Sequence, residues 1–242
     1  MDRNTFLFLR IKLIRNNKHC VLSGLMAIHV KWLGHSSFQI RIANKIIYID
    51  LKKYGKIVET SEKADVILVT HNHGDHCSPP KIQKLRKKDT VIIAPKNCAS
   101  RIDGEVKIIK SGEEVTIDGV RIEAVEAYNT KRFKPSGKPW HPKGYGVGYL
   151  IKAEGKTIYH AGDTDFIEEM RHLKNVDLAL LPIGDKYTMD DAEAAEAAVA
   201  ICPKTAMAMH TWDKNREGFK KMVEANSKTK VVLLQEGEEY EL

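Results

Sequence analysis

DVILVT, residues 65–70, runs directly into HNHGDH, residues 71–76. The first six residues read as a strand, because a short continuous apolar run rich in β-branched side chains suits a strand buried on both faces of a sheet. The next six place three histidines and an aspartate at the C-terminal end of that strand. Neutral imidazoles and carboxylates are the usual ligands of zinc and similar divalent ions, and a catalytic site keeps one position open for water. The spacing of His71 and His73 lets a strand end aim both rings at one ion. Asp75 and His76, past the flexible Gly74, can turn to a second. Three of the chain's ten histidines fall in these six positions, a concentration that an incidental polar loop does not explain.

Upstream, IHVKWL (28–33), SFQIRI (37–42) and KIIYID (45–50), with a turn at Ala43-Asn44, predict a β-meander that opens a sheet. Downstream, Pro79-Pro80 starts a helix expected to run through Lys88. TVIIAP (90–95) is a further strand, and residues 105–126 alternate around an Asp118-Gly119 turn. A loop rich in glycine and proline occupies residues 129–148, and loops of that length in compact domains tend to be functional or mobile. GVGYLI, KTIYH, a polar AGDTD turn, a helix near residues 166–173 and the strand VDLALLP follow. The remainder alternates: the alanine-rich helix MDDAEAAEAAVA, the strand TAMAMH, the helix NREGFKKMVEAN and the strand KVVLLQ. A β-rich first half and an alternating second half predict an α/β fold of two sheets covered by helices, a four-layer αββα sandwich.

The chain has 242 residues, 43% of them hydrophobic, enough to bury one large core in a single domain over residues 26–242. Residues 1–25 read as an N-terminal extension, disordered or the product of an upstream translation start. Their apolar run is broken by Arg10, Lys12 and Arg15, which excludes a membrane-spanning helix. The formal charge of +7 favours an anionic small-molecule partner. The basic run at residues 81–88 reads as the wet face of a helix and not as a nucleic-acid footprint. Four dispersed cysteines, with no CxxC pair, argue against a disulfide framework and point to the cytoplasm. Met189 and Trp212 are read as lining a pocket or a subunit contact, which leaves room for a homo-oligomer, whereas Met207 and Met209 alternate as core residues.

HNHGDH resembles the HxHxDH signature of the metallo-β-lactamase fold, and the likeness continues through Gly162-Asp163-Thr164 and His210 at the end of TAMAMH. WLGHSSFQI, HPKGYGVGYLI, YHAGDTD, LLPIGDKYTMD and PKTAMAMH are similar to the small stand-alone metal-dependent hydrolases related to ascorbate-6-phosphate lactonase. The resemblance covers the chain from about residue 28 onward. It implies that His71 and His73 bind a first metal, that Asp75, His76 and His210 bind a second, and that Asp163 bridges the two. The family's third histidine of the first site is missing: after RIEAVEA this chain reads Ala127-Tyr128-Asn129. Asn129 or His141 is the candidate replacement, with His141, in the loop WHPKG, preferred.

His35 in GHSS is expected near the metals as a ligand or a support, Asp50 as a carboxylate that orients a ligand imidazole, and His160 as a structural hydrogen-bonding residue. The activity implied is hydrolysis by metal-activated water of a small lactone, ester or phosphorylated substrate. Asp75 and Asp163 would fix the nucleophile, and His141 or Tyr187 would donate to the leaving group. One or two divalent ions per chain are expected, zinc first, with manganese, iron, cobalt or nickel compatible with the same ligands. A phosphodiesterase or nuclease of the same fold and a non-catalytic metal-binding protein are the competing readings.

Overall fold

The computed structural model describes residues 27–52, 58, 60–212 and 215–242. The extension read over residues 1–25 lies outside the described residues. In chain order the strands are β1 (His29–Gly34), β2 (Ser37–Ile42), β3 (Lys45–Ile49), β4 (Ala64–Leu68), β5 (Arg86–Ala94), β6 (Lys107–Ile108), β7 (Glu114–Ile117), β8 (Val120–Ala127), β9 (Gly146–Ala153), β10 (Lys156–His160), β11 (Leu178–Pro182), β12 (Thr205–Met209), β13 (Lys230–Val231) and β14 (Glu239–Glu241). The helices are α1 (Pro79–Leu85), α2 (Lys96–Ala99), α3 (Asp191–Ile201) and α4 (Glu217–Asn226).

Two seven-stranded sheets result, ordered β14-β1-β2-β3-β4-β5-β6 and β13-β12-β11-β10-β9-β8-β7. Side chains alternate across each strand, so period two decides which layer each residue joins. Val66 and Leu68 of β4 enter the large core shared by both sheets, whereas Ile67 and Val69 join a smaller cluster with Ile82 and Leu85 of α1 and Cys98 of α2. The alanines of α3 and Phe219 and Val223 of α4 close the large core from the other side. These layers are the αββα sandwich that the pattern predicts. The tight turns follow sequence too: Ala43-Asn44 and Asp118-Gly119 all have positive φ, as the two-residue hairpin turn requires.

Three of the expected elements form differently, and α2 and β14 were not expected. The helix begun at Pro79 ends at Leu85, and Arg86, Lys87 and Lys88 begin β5. The Thr90 hydroxyl accepts from the Lys87 amide at 2.8 Å and donates to the Ala64 carbonyl at 2.6 Å, which fastens this basic run to β4. The segment near residues 166–173 is a 3-10 turn, Glu168–His172, whose buried Ile167 and Met170 lie three residues apart, the period of that helix. KVVLLQ keeps only Lys230–Val231 as strand, because the chain crosses to the first sheet, where the Gly237 amide donates to Trp32 O at 2.7 Å.

The strands β3-β4-β5 and β10-β11-β12 are parallel within their sheets. Their C-terminal ends therefore emerge together, and the crevice outside such ends is where open α/β sheets bind ligands.

Candidate metal centre

Sharp turns at these strand ends aim the polar side chains. His35 follows β1, Asp50 follows β3 and His210 follows β12, and all three have left-handed backbones, with φ of 54°, 47° and 55°. Such a conformation in a non-glycine residue costs on the order of 1–3 kcal/mol and persists only where the surroundings enforce it. Here the His210 amide donates to the His35 carbonyl at 3.1 Å, tying the two sheets together at the site. Gly146 and Gly184 make room, since a Cβ on Gly146 would lie 3.0 Å from His71 Cβ and one on Gly184 only 2.6 Å from His210 Nδ1.

Three groups of ligand atoms result, each within 4.8 Å: His71, His73 and His141; His35, Asp75, His76 and His210; and His71, His76 and Asp163. Asp163 Oδ2 is the common point, 3.8 Å from His71 Nε2, 3.4 Å from His76 Nε2, 3.5 Å from His141 Nε2 and 3.3 Å from His210 Nε2. Asp75 Oδ2 faces His35 Nε2 at 3.2 Å, His76 Nε2 at 3.8 Å and His210 Nε2 at 3.9 Å. Asp163 Oδ2 thus lies within 3.8 Å of an imidazole nitrogen from each of the other two groups.

Burial costs a polar atom its water, so nearly every buried polar atom has a hydrogen-bond partner. His76 Nε2, Asp163 Oδ1 and both ring nitrogens of His210 are buried without one. His210 Nδ1 faces Gly184, but His76 Nε2 and His210 Nε2 both face Asp163, and unpartnered imidazole nitrogens gathered around a buried carboxylate are what a cation would satisfy, so the residues fit divalent metal. The electrostatics agree. Burial pushes His141 and His35 down to about 4, and burial followed by the His76 charge pushes His71 well below its ordinary value. Neutral rings are ligand-ready rings. Burial opposes charge on Asp163, but His210 and His76 hold it well below the usual carboxylate range. Burial opposes a charge on His76 as well, yet Asp163 and Asp50 raise it well above the usual imidazole value.

The gap left at residue 129 is met from the loop. His141 is buried beside His73, with Nε2 at 3.2 Å from His73 Nδ1, while its backbone N and Nδ1 both lie 2.8 Å from Asn129 Oδ1. The Asn129 amide donates to Asp165 Oδ1 at 2.9 Å and to the Tyr187 carbonyl at 3.0 Å. Those four bonds exhaust an amide, so Asn129 has no atom free to bind a metal and instead orients His141. Asp50 holds His76 through Nδ1 at 2.7 Å and also accepts from the Thr70 amide and hydroxyl. His160 is buried and contacts the Ser36 carbonyl at 2.9 Å through Nε2.

Tyr187 meets Trp140 edge-on at 4.7 Å and touches the centre through its carbonyl bond to Asn129. Tyr145 is nearer the ligands, its ring 5.5 Å from His73 and its hydroxyl bonded to Asn72. Trp212, half exposed, stands 4.8 Å from the His35 ring and 5.2 Å from His210. Met189 is fully buried core. Lys134, half buried on the loop before His141, holds its ammonium 5.4 Å over the Trp140 ring and pairs with no carboxylate among the described residues. Tyr145 and Lys134 carry no sequence signature. They are found only because the loop folds back.

A family profile for the beta-lactamase superfamily domain matches residues 29–210. A UPF0173 metal-dependent hydrolase of Thermococcus kodakarensis is 36% identical over 231 residues, covering 89% of this chain and 100% of the relative. The crystal structure of a candidate metal-dependent hydrolase from Parabacteroides distasonis is 35% identical with a TM-score of 0.79, covering 85% of this chain and 92% of that one. A metallo hydrolase from Ignicoccus hospitalis, 23% identical, has a TM-score of 0.74 over 90% of this chain and 99% of that one, a likeness of fold.

Proposed function

This chain belongs to the beta-lactamase superfamily, among its UPF0173 metal-dependent hydrolases, and from that premise we propose that it hydrolyses a small lactone, ester or phosphorylated substrate at a dinuclear centre. The observation that carries the reading is the set of unpartnered buried atoms on His76, Asp163 and His210, at the point where two ligand groups approach Asp163. His71, His73 and His141 would hold the first ion. His35, Asp75, His76 and His210 would hold the second, with Asp163 between them. Two divalent ions held by these residues would supply an acidified water and polarisation of the bond to be cleaved.

The chain's own groups do the rest. Asp163, ionised and buried, is a fixed acceptor at the midpoint. Asp75, partly exposed, can accept a hydrogen bond from the attacking water and orient it. Half-buried His73 leaves the first group open to solvent, and Tyr145 walls it. Lys134 offers a positive charge for an anionic substituent of the substrate, and Trp212 offers an apolar face beside the second group.

The donors are imidazole and carboxylate without thiolate, a set that suits zinc and is also compatible with manganese, iron, cobalt or nickel. We place the protein in the cytoplasm, a reading supported by the free, buried thiols of Cys77 and Cys98. Among the described residues no helix is long and apolar enough to cross a membrane.

The test is turnover of a panel of lactones, carboxylic esters and phosphodiesters by wild type and Asp163→Ala, with and without chelator. Turnover that a chelator abolishes, absent together with bound metal in Asp163→Ala, is expected. Metal-dependent turnover retained in Asp163→Ala contradicts the assignment.

A further inference from the structure

Asp165 lies two residues beyond the shared carboxylate, fully buried, and takes no part in any ligand group. Its Oδ2 accepts from the backbone amides of Thr130 at 2.7 Å and Lys131 at 2.6 Å. Its Oδ1 accepts from Asn129 Nδ2 at 2.9 Å and Arg132 Nη1 at 2.8 Å. Consecutive residues 129–132 thus converge on one carboxylate. Arg132 carries the anchorage outward: Nη1 also donates to Glu193 in the first turn of α3, and Nε donates to the Asp185 carbonyl at 2.6 Å. Glu193 Oε1 in turn accepts from the Phe166 amide at 3.1 Å, next to Asp165 itself.

At the inner end of this clamp stands Asn129, and Asn129 holds His141. Buried ion pairs contribute little net stability, because desolvation offsets the attraction. What this cluster does achieve is position, since an amide held at Nδ2 by Asp165 can present only Oδ1 to His141.

We propose that Asp165 is a positioning residue for the first metal group: by fixing the turn at residues 129–132 it makes Asn129 hold the His141 ring with Nε2 towards His73 and Asp163. The proposal rests on the reading of His71, His73 and His141 as a metal-binding group. Its effect is confined to that group. The second group draws on His35, Asp75, His76 and His210, of which His76 is held by Asp50 and none is bonded to Asp165. An asparagine at position 165 would keep the shape but turn one acceptor into a donor facing backbone amides that also donate.

The experiment loads the full chain with zinc and counts the zinc retained per chain against rising chelator concentration. It compares wild type, Asp165→Asn, His141→Ala and the double variant, with folding checked by circular dichroism. In Asp165→Asn one of the two zinc ions is expected to leave at about 10- to 100-fold lower chelator while the other is unmoved. Added to His141→Ala, the same change is expected to alter nothing further. Two ions as tightly held as in wild type, or a parallel loss of both, overturns the proposal. A wild type that retains fewer than two ions instead defeats the reading of the two groups. If Asp165→Asn fails to fold, Arg132→Lys keeps the charge but loses the fork that reaches Asp165, and the same single-ion loss or its absence decides the matter.

Discussion

Asp50 Oδ2 accepts from His76 Nδ1 at 2.7 Å, and the ring so held places its other nitrogen 3.4 Å from Asp163 Oδ2. The bond fixes both tautomer and direction, the usual work of a carboxylate behind a ligand histidine. Asp50→Asn should therefore lower metal affinity by about 10- to 100-fold at the second group. Competition with a chelating dye reads this directly, and unchanged affinity would show that the ring is held by packing alone.

The charge on His76 has a consequence for metal uptake. Burial opposes the charge, but Asp163 and Asp50 raise this ring well above the usual imidazole value, which favours its protonated form in the metal-free protein. His35 and His141, at about 4, are already neutral there. A metal at His76 Nε2 must displace a proton, so uptake at pH 7 should release about one proton per chain from this ring, and apparent affinity should rise by about tenfold per pH unit until His76 deprotonates by itself. Calorimetry in buffers of different protonation enthalpy counts that proton. Uptake without release, or affinity that falls as pH rises, would contradict it.

Gly184 sits where a methyl group has no room, its Cβ position 2.6 Å from His210 Nδ1 and 2.9 Å from His210 O. Gly184→Ala should push His210 out of the second group, with loss of one metal ion and about 1–3 kcal/mol of stability from overpacking. Urea unfolding together with metal analysis separates the two effects. Full metal content in a stable Gly184→Ala protein would mean that His210 can move and still ligate.

Lys134 tests the charge of the substrate. If its ammonium receives an anionic substituent, Lys134→Ala should raise KM for phosphorylated substrates by about tenfold, corresponding to roughly 1.4 kcal/mol, and leave neutral lactones unaffected. Equal effects on both classes would assign Lys134 to the loop's architecture instead.

The fold and much of the site were legible because strand ends carry their own punctuation. SFQIRI and KTIYH are strands end to end, and the histidines and aspartates that follow β4, β10 and β12 come together in space. Less legible was whatever depends on chain reversal in a loop. Asn129 and His141 are both visible in the sequence as candidates, but only the folded loop shows that one holds the other. Asp165 reads as the tail of AGDTD, and nothing local says that four donors will converge on it. The basic run ending α1 misled for a related reason: Lys87 and Lys88 suit an exposed helix face or an exposed strand start equally, and the Thr90 bond to Ala64 decides between them.

Metal content per chain, in wild type and His141→Ala purified side by side, bears most directly on the claim of two ligand groups sharing Asp163. Two ions in the wild type and one in His141→Ala is the result expected. One ion in both would contradict the dinuclear centre and leave His76, Asp163 and His210 as the core of a mononuclear site.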